Sequence, residues 1–104
     1  LINYIGHGTH EILSTENILS LSRDIDLLNT NGKSPIWVVG TCSFGDYIGK
    51  DCFAENLLKT ENAAIAIIST TNGISPESNW HYLKSFYNTH LKNYIQVLTI
   101  SLFL

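Results

Sequence analysis

A histidine and a cysteine with the chemistry of a cysteine hydrolase follow two separate apolar runs of this sequence. His7 follows the run of residues 1–5, and Cys42 follows that of residues 36–41. A cysteine thiolate attacks a carbonyl carbon, and a histidine within hydrogen-bonding reach of the sulfur serves as its acid and base. If the two runs are neighbouring strands, about 4.8 Å apart, the side chains lie close enough for this chemistry.

Backbone amides beside these residues are candidates for an oxyanion hole. Gly8 has no Cβ, so its N–H can approach a substrate carbonyl closely, and we expect the N–H of Cys42 to point into the same region. Two convergent donors stabilise the oxyanion of a tetrahedral intermediate. In this hypothesis Cys42 attacks a peptide carbonyl and His7 protonates the leaving amine. Water then hydrolyses the thioester, or an amine intercepts it, with His7 as base.

Both residues also have a structural interpretation. A histidine between two glycines is often a turn residue, and a cysteine that ends an apolar strand is often a small buried hydrophobe. Their placement at two successive strand ends favours catalysis, because functional groups gather at the carboxyl ends of parallel strands. Judged from the residues alone, the catalytic and structural interpretations of His7 and Cys42 both stay open.

Other chemistries fit the sequence less well. His7, His10 and Glu11 lie in a glycine loop and lack the His-Glu-x-x-His order of a helical zinc site. Gly6-x-Gly8 lacks the third glycine of a dinucleotide-binding loop, and no Gly-Lys-Ser/Thr phosphate loop occurs. We therefore expect no metal and no cofactor.

Several other polar residues are expected to support the site or to have structural positions only. The carboxylates that could orient the histidine are Asp46, Asp51 and Glu55, with solvated loop or helix-cap roles as the alternative. We expect Cys52 to lie in a helix and to be buried in the protein core. The later histidines, His81 and His90, are expected on the exposed face of the last helix.

The elements that position these residues are strands alternating with helices. Apolar runs indicate strands at residues 1–5, 36–41 and 64–70. They are apolar on both faces, as parallel strands covered by helices are. We expect Ser22 to cap a helix over residues 23–28, Asp51 to cap one over 52–59, and Ser75 to cap a long helix that starts at Pro76.

The last helix carries apolar residues at intervals of three and four, which predicts a stripe that faces the sheet: Trp80, Leu83, Phe86, Tyr87, Leu91 and Tyr94. Strand and helix alternate three times, an order typical of a right-handed parallel α/β sheet.

Composition narrows the class of protein further. A chain of 104 residues forms one small domain, and 44% hydrophobic with 14% charged residues excludes intrinsic disorder. A net charge of -3 without a basic stripe makes nucleic acid an unexpected partner. Residues 94–104 form the longest apolar stretch, which is shorter than the roughly 20 residues of a transmembrane helix, so no transmembrane segment is expected. Because the chain begins within a strand pattern and ends in an apolar tail, we expect a fragment.

Four motifs in order resemble the gingipain-type cysteine peptidases of the caspase-like clan, across residues 1–93. They are Tyr4-Ile5-Gly6-His7-Gly8, then Val38-Val39-Gly40-Thr41-Cys42-Ser43-Phe44-Gly45, then Ala54-Glu55-Asn56-Leu57-Leu58, and then Ala63-Ala64-Ile65-Ala66-Ile67-Ile68-Ser69-Thr70-Thr71. Within this family, the Thr-Cys-Ser-Phe-Gly form resembles the surface signal peptidase and sortase of the bacterial type IX secretion system more than it resembles the secreted gingipains.

The resemblance implies a caspase-like three-layer α/β/α fold with a mostly parallel sheet. Residues 1–93 would be a partial peptidase domain of about three strands and three helices, and residues 94–104 a departing tail, either a fourth strand or continued helix. The family's His-Cys dyad maps onto His7 and Cys42, and its oxyanion hole onto the amides of Gly8 and Cys42. The substrate-binding segment maps onto Thr71, Asn72 and Gly73.

The implied activity is that of a cysteine endopeptidase, with a protein or peptide as substrate. The remainder of the parent catalytic domain would be a partner, and the site of action would be extracellular or the bacterial cell surface, associated with the outer membrane. One alternative is a non-catalytic, truncated remnant of the same fold that associates with other chains. A flavodoxin-like small-molecule binding module is a third interpretation, supported by the glycine loops alone.

Overall fold

The computed structural model describes residues 1–91, and its elements alternate between strands and helices. In chain order they are β1 (Ile2–Ile5), β2 (Ile12–Leu13), β3 (Leu19–Ser20), α1 (Leu21–Asp24) with a 3-10 turn (Ile25–Leu27), β4 (Ile36–Gly40), α2 (Phe53–Lys59), β5 (Ala66–Ser69), and α3 (Pro76–Phe86) followed by a π-helical turn (Tyr87–Leu91).

Within residues 1–91, three strands form a parallel sheet in the order β1-β4-β5. Ile5 of β1 lies opposite Gly40 of β4, and Val39 of β4 lies opposite Ser69 of β5. The central strand is the most deeply covered, since Val38 and Val39 are completely buried. The three predicted strands are confirmed, each slightly shorter than its apolar run.

Helices cover both faces of this sheet. Trp37 and Val39 pack in one apolar cluster with Leu57 of α2. Gly40, the residue after Val39 in β4, approaches Leu83 of α3 so closely that an added Cβ would lie 2.5 Å from its methyl carbon. Because successive residues of a strand point to opposite faces, α2 and α3 lie on opposite sides. The predicted α/β class with three strands and three helices is confirmed, and the arrangement is compatible with a caspase-like fold.

The predicted caps of α1 and α2 are wrong. Ser20 rather than Ser22 precedes α1, and its side chain makes no cap hydrogen bond. At α2 the cap is Cys52, whose sulfur accepts the Glu55 amide at 3.5 Å, and Asp51 lies one residue earlier. Cys52 is buried, as expected, but it precedes the helix instead of lying within it.

The start of α3 is confirmed. Ser75 accepts the Ser78 amide at 3.2 Å through its hydroxyl, and Pro76 occupies the first turn, where its missing N–H costs nothing. The predicted apolar stripe is wrong at Trp80, which is 54% exposed, whereas Leu83 is buried. Asn79, beside Trp80, takes the buried place against the sheet.

The short hairpin of β2 and β3 was not predicted from the sequence. Each strand is only two residues long, too short for an alternating pattern to be visible. Tyr94 and the tail, residues 94–104, lie outside the described residues.

Candidate active site

The parallel pairing of β1 and β4 brings His7 and Cys42 to one edge of the sheet. The two strands run in constant register up to Ile5 and Gly40, and the Gly6 amide donates to the Gly40 carbonyl at 3.1 Å. His7 and Cys42 each lie two residues past that last pair. The carboxyl ends of neighbouring strands thus deliver an imidazole and a thiol to the same edge.

His7 and Cys42 border one pocket of about 320 Å³. The other residues that border it come from the end of β1, from the position after β4, and from α3 and the segment before it: Ile5, Gly6, Thr41, Ile74, Pro76 and Asn79. Both proposed reactive groups therefore border the same pocket.

Cys42 is a free, half-buried cysteine. Its thiol donates to the Ile74 carbonyl, with the sulfur 3.6 Å from that oxygen. This contact holds the side chain between β4 and the segment that leads to α3. Ile74 was not among the predicted site residues, because only the folded chain brings residue 74 over the end of β4.

The chain turns sharply after Cys42 and is attached to the segment after β5. Ser43 adopts a left-handed φ of 54°. Its amide donates to the Asn72 carbonyl at 3.1 Å, and the Gly45 amide donates to the Thr70 carbonyl at 2.9 Å. Phe44 is buried and stacks on Phe53 with ring centroids 5.3 Å apart, a contact worth about 0.5–1.5 kcal/mol. The cysteine loop is thus fixed on both sides.

The backbone of His7 is held by two donors, although its side chain is exposed. The His7 carbonyl accepts the Tyr4 hydroxyl at 2.7 Å and the Ser14 amide at 2.7 Å. Ser14 is buried and has a left-handed φ of 71°, which bends the chain back toward β1. The loop that presents the imidazole is therefore fixed by contacts to residues on each side of it in sequence.

Gly8 is a position where a side chain does not fit. An added Cβ would lie 2.7 Å from Thr41 Oγ1 and 3.0 Å from the Ile12 carbonyl oxygen. Gly8 pairs with Leu13 through bonds that use the amides of Thr9 and Ser14, so its own amide donates no hydrogen bond within residues 1–91. In the same described part of the chain, the Cys42 amide likewise donates none. Of these two predicted oxyanion-hole residues, Cys42 borders the pocket of the dyad and Gly8 does not.

The predicted substrate-binding residues occupy three different settings. Thr71 borders a second pocket of about 310 Å³, on the side of α2. Asn72 supports the cysteine loop through its carbonyl, and its side-chain oxygen accepts the Gly73 amide at 2.9 Å. Gly73 is exposed. None of the three is among the residues that border the pocket of His7 and Cys42.

Two buried polar atoms next to this pocket lack hydrogen-bond partners within the described part of the chain. They are Thr41 Oγ1 and Asn79 Oδ1. The Asn79 amide nitrogen donates to the Gly40 carbonyl at 2.8 Å, so the orientation of this side chain is fixed by an acceptor at the end of β4. An unpaired buried polar group costs about 1–3 kcal/mol, so this edge retains polarity at the expense of stability.

Two of the three carboxylates considered as partners of His7 pair with lysines. Asp46 lies 3.0 Å from the Lys50 ammonium, and this contact lowers the pKa of Asp46. Glu55 lies 3.0 Å from the Lys59 ammonium. The third carboxylate considered, Asp51, is exposed before α2.

Glu16 is the carboxylate that shares a cavity with His7. The sequence does not indicate that Glu16 lies near His7, because the two residues are nine positions apart in an irregular segment. The turn at Ser14 and the pairing of Gly8 with Leu13 bring them together. No short motif marks such a contact.

Residues 1–91 offer neither a metal-binding cluster nor a membrane-spanning helix. This part of the chain contains no group of three or more His, Cys, Asp or Glu side chains arranged to hold a metal ion. It also contains no helix of the length and apolarity needed to cross a membrane. His10 approaches Glu11 at 3.8 Å, and His81 on α3 is exposed, as expected.

A parallel α/β sheet with a histidine and a free cysteine at one edge is the arrangement expected of a cysteine peptidase. A sequence model described as peptidase family C25 matches residues 1–102. The chain belongs to this family, the gingipain family, and membership implies cysteine peptidase activity. No curated protein and no solved structure matches the chain significantly.

Proposed function

We propose that this chain carries the catalytic edge of a cysteine endopeptidase in which His7 and Cys42 form the dyad. The observation that carries the proposal is that the two side chains border one pocket. Each residue lies two positions along the chain after the last paired residues of β1 and β4, Ile5 and Gly40. Neither a metal nor a cofactor is needed for this chemistry.

The reaction begins when His7 takes the thiol proton of Cys42, which releases the sulfur from the Ile74 carbonyl. The thiolate attacks the carbonyl carbon of the scissile peptide bond, and a C–S bond forms. The negative charge moves to the peptide oxygen, where the free amides of Gly8 and Cys42 supply two donors. Collapse of this intermediate breaks the C–N bond, and His7 gives its proton to the departing amine.

The second half of the reaction removes the acyl group from Cys42. His7 takes a proton from water, the hydroxide attacks the thioester carbonyl, and the thiolate leaves. An amine that enters in place of water would give a new amide bond, so the same residues support hydrolysis and transpeptidation. The two free amides act in both halves.

The substrate is a protein or peptide, and the pocket between β1, β4 and α3 receives the chain on the acyl side. In this proposal Thr71, Asn72 and Gly73 line the continuation of the cleft. The support for their role is indirect: the Asn72 carbonyl accepts the Ser43 amide at 3.1 Å, so this segment is attached to the loop that carries Cys42.

The cellular role that we propose is the processing of secreted proteins at the bacterial surface, outside the cell or at the outer membrane. Its support is the form Thr41-Cys42-Ser43-Phe44-Gly45, which resembles PorU, the signal peptidase and sortase of the type IX secretion system.

The test is cleavage of a mixed peptide library, followed by mass spectrometry, for the wild type and matched variants. Cys42→Ala and His7→Ala should abolish cleavage, because the nucleophile or its acid and base is removed. Cys52→Ser, which alters the other cysteine, and His81→Ala, which alters an exposed histidine, should retain it. Cleavage by Cys42→Ala, or a wild type that cleaves no peptide, would contradict the proposal.

A further inference from the structure

A third cavity adjoins His7, and Cys42 is not among the residues that border it. It has a volume of about 180 Å³ and is bordered by His7, Ser14, Thr15 and Glu16. Cys42 does not border it, and Glu16 does not border the pocket of the dyad. His7 is therefore the side chain that the two cavities share.

Glu16 presents a fixed negative charge in this cavity. One of its carboxylate oxygens accepts the Ser14 hydroxyl, which in turn accepts the Glu16 amide at 3.1 Å. The Ser14 hydroxyl is the main reason why the pKa of Glu16 lies below its ordinary value, and its own amide and Thr15 contribute less. The carboxylate is therefore ionised at neutral pH.

The charge of Glu16 has no cationic partner in residues 1–91. The nearby Arg23 is bound to Asp24 at 2.6 Å and to the carbonyls of Asn17 and Ile18. The charge of His7 is a minor influence on Glu16, and the two side chains form no ion pair. An exposed carboxylate that is held in place but unpaired can bind a cation from another molecule.

The position of this charge relative to the dyad determines which part of a substrate it meets. Cys42 attacks from the acyl side, and His7 protonates the departing amine, so residues that follow the scissile bond lie on the His7 side. Because Glu16 shares a cavity with His7 and not with the nucleophile, it faces the leaving-group part of the substrate.

We propose that the Glu16 cavity is a subsite that selects lysine or arginine next to the scissile bond on the leaving-group side. The inference rests on the proposed function, because it takes its direction from His7 as the acid. An exposed ion pair contributes modestly, so we expect a preference of about two- to fivefold over glutamine.

The experiment is to sequence, by mass spectrometry, the new amino termini produced from a proteome-derived peptide library. In the wild type, lysine and arginine should be enriched about two- to fivefold as the first residue after the cut. Glu16→Gln should remove the enrichment, and Glu16→Lys should replace it with enrichment of aspartate and glutamate. Raising NaCl to about 0.5 M should weaken the wild-type preference by screening.

The matched control is Glu61→Gln, which makes the same change in net charge at an exposed carboxylate before β5. It should retain the wild-type preference, which separates a local effect from the overall charge of -3. Cleavage that depends on Cys42 but shows the same amino termini in the wild type and Glu16→Gln would overturn this inference alone. Absence of any Cys42-dependent cleavage would overturn the proposed function, and this inference with it.

Discussion

His7 and Cys42 occupy equivalent positions on neighbouring parallel strands, each two residues beyond the register pair Ile5 and Gly40. The same pocket touches both. The backbone hydrogen bonds between β1 and β4 therefore bring the two residues together, although 34 residues separate them in the sequence. Any change that moves the end of either strand should alter the geometry of the dyad.

Gly8 should tolerate no side chain. In Gly8→Ala the new Cβ would meet Thr41 Oγ1 at 2.7 Å, and we expect a loss of about 1–3 kcal/mol in unfolding free energy, measured by urea titration. Adding Thr41→Ala removes that atom and should restore part of the loss. The control is Gly73→Ala, where nothing lies within 4 Å, so the free energy should change by less than about 0.5 kcal/mol. Equal stability of the two single variants would contradict the packing of Gly8 on Thr41.

Tyr4 should make stability decline at alkaline pH. Burial is the main reason why its pKa is raised, and the charge of Glu16 adds to this. The folded state therefore holds the phenol proton more tightly than the unfolded state. This contribution is complete below the ordinary pKa of about 10 and is lost as the pH rises through the higher folded value.

Tyr4→Phe tests this directly. The variant should lose about 0.5–1.5 kcal/mol at neutral pH, because the hydroxyl no longer donates to the His7 carbonyl. Above about pH 10 its unfolding free energy should fall less steeply than that of the wild type, with the remaining slope due in part to Tyr82 and Tyr87, whose pKa values burial also raises. Tyr47→Phe, at an exposed tyrosine, should leave the profile unchanged. A parallel decline in the wild type and Tyr4→Phe would contradict the prediction.

Asn79 should contribute to stability through the Gly40 carbonyl. Asn79→Ala removes a buried donor at 2.8 Å but also removes the unpaired Oδ1, so it should lower the unfolding free energy by less than about 1 kcal/mol. The loss is limited because the Gly6 amide still donates to the same carbonyl. Asn88→Ala, at an exposed asparagine past α3, provides the comparison and should be close to neutral. If the two variants were equally stable, the Asn79 contact would have no net effect.

The sheet could be predicted from the sequence because its strands are continuous apolar runs with few alternatives. The start of α3 could be predicted for a similar reason, since Ser75 and Pro76 act locally through the first turn. The caps of α1 and α2 could not, because several polar residues of the right type stand near each helix start. The residue that precedes each helix is set by where the extended chain before it ends, which is at Ser20 for α1 and at Cys52 for α2.

The proposed dyad followed from the strand ends, but its surroundings did not. Ile74 and Asn79 reach the pocket through the turn between β5 and α3, and Glu16 reaches the His7 cavity through the left-handed turn at Ser14. Such contacts depend on loop conformation, for which spacing along the chain gives no rule. Trp80 shows the same limit, since an apolar interval of three predicted its burial and the polar Asn79 took that place.

The central claim is that His7 activates Cys42, and the most direct test is the rate of Cys42 alkylation by iodoacetamide against pH, followed by mass spectrometry. Buried Cys52 serves as the internal reference, and His10→Ala is the control for loss of a histidine in the same loop. We predict that Cys42 is alkylated much faster than Cys52 across the pH range, that His7→Ala removes this advantage, and that His10→Ala retains it. A Cys42 that reacts no faster than Cys52 and is indifferent to His7 would contradict the account.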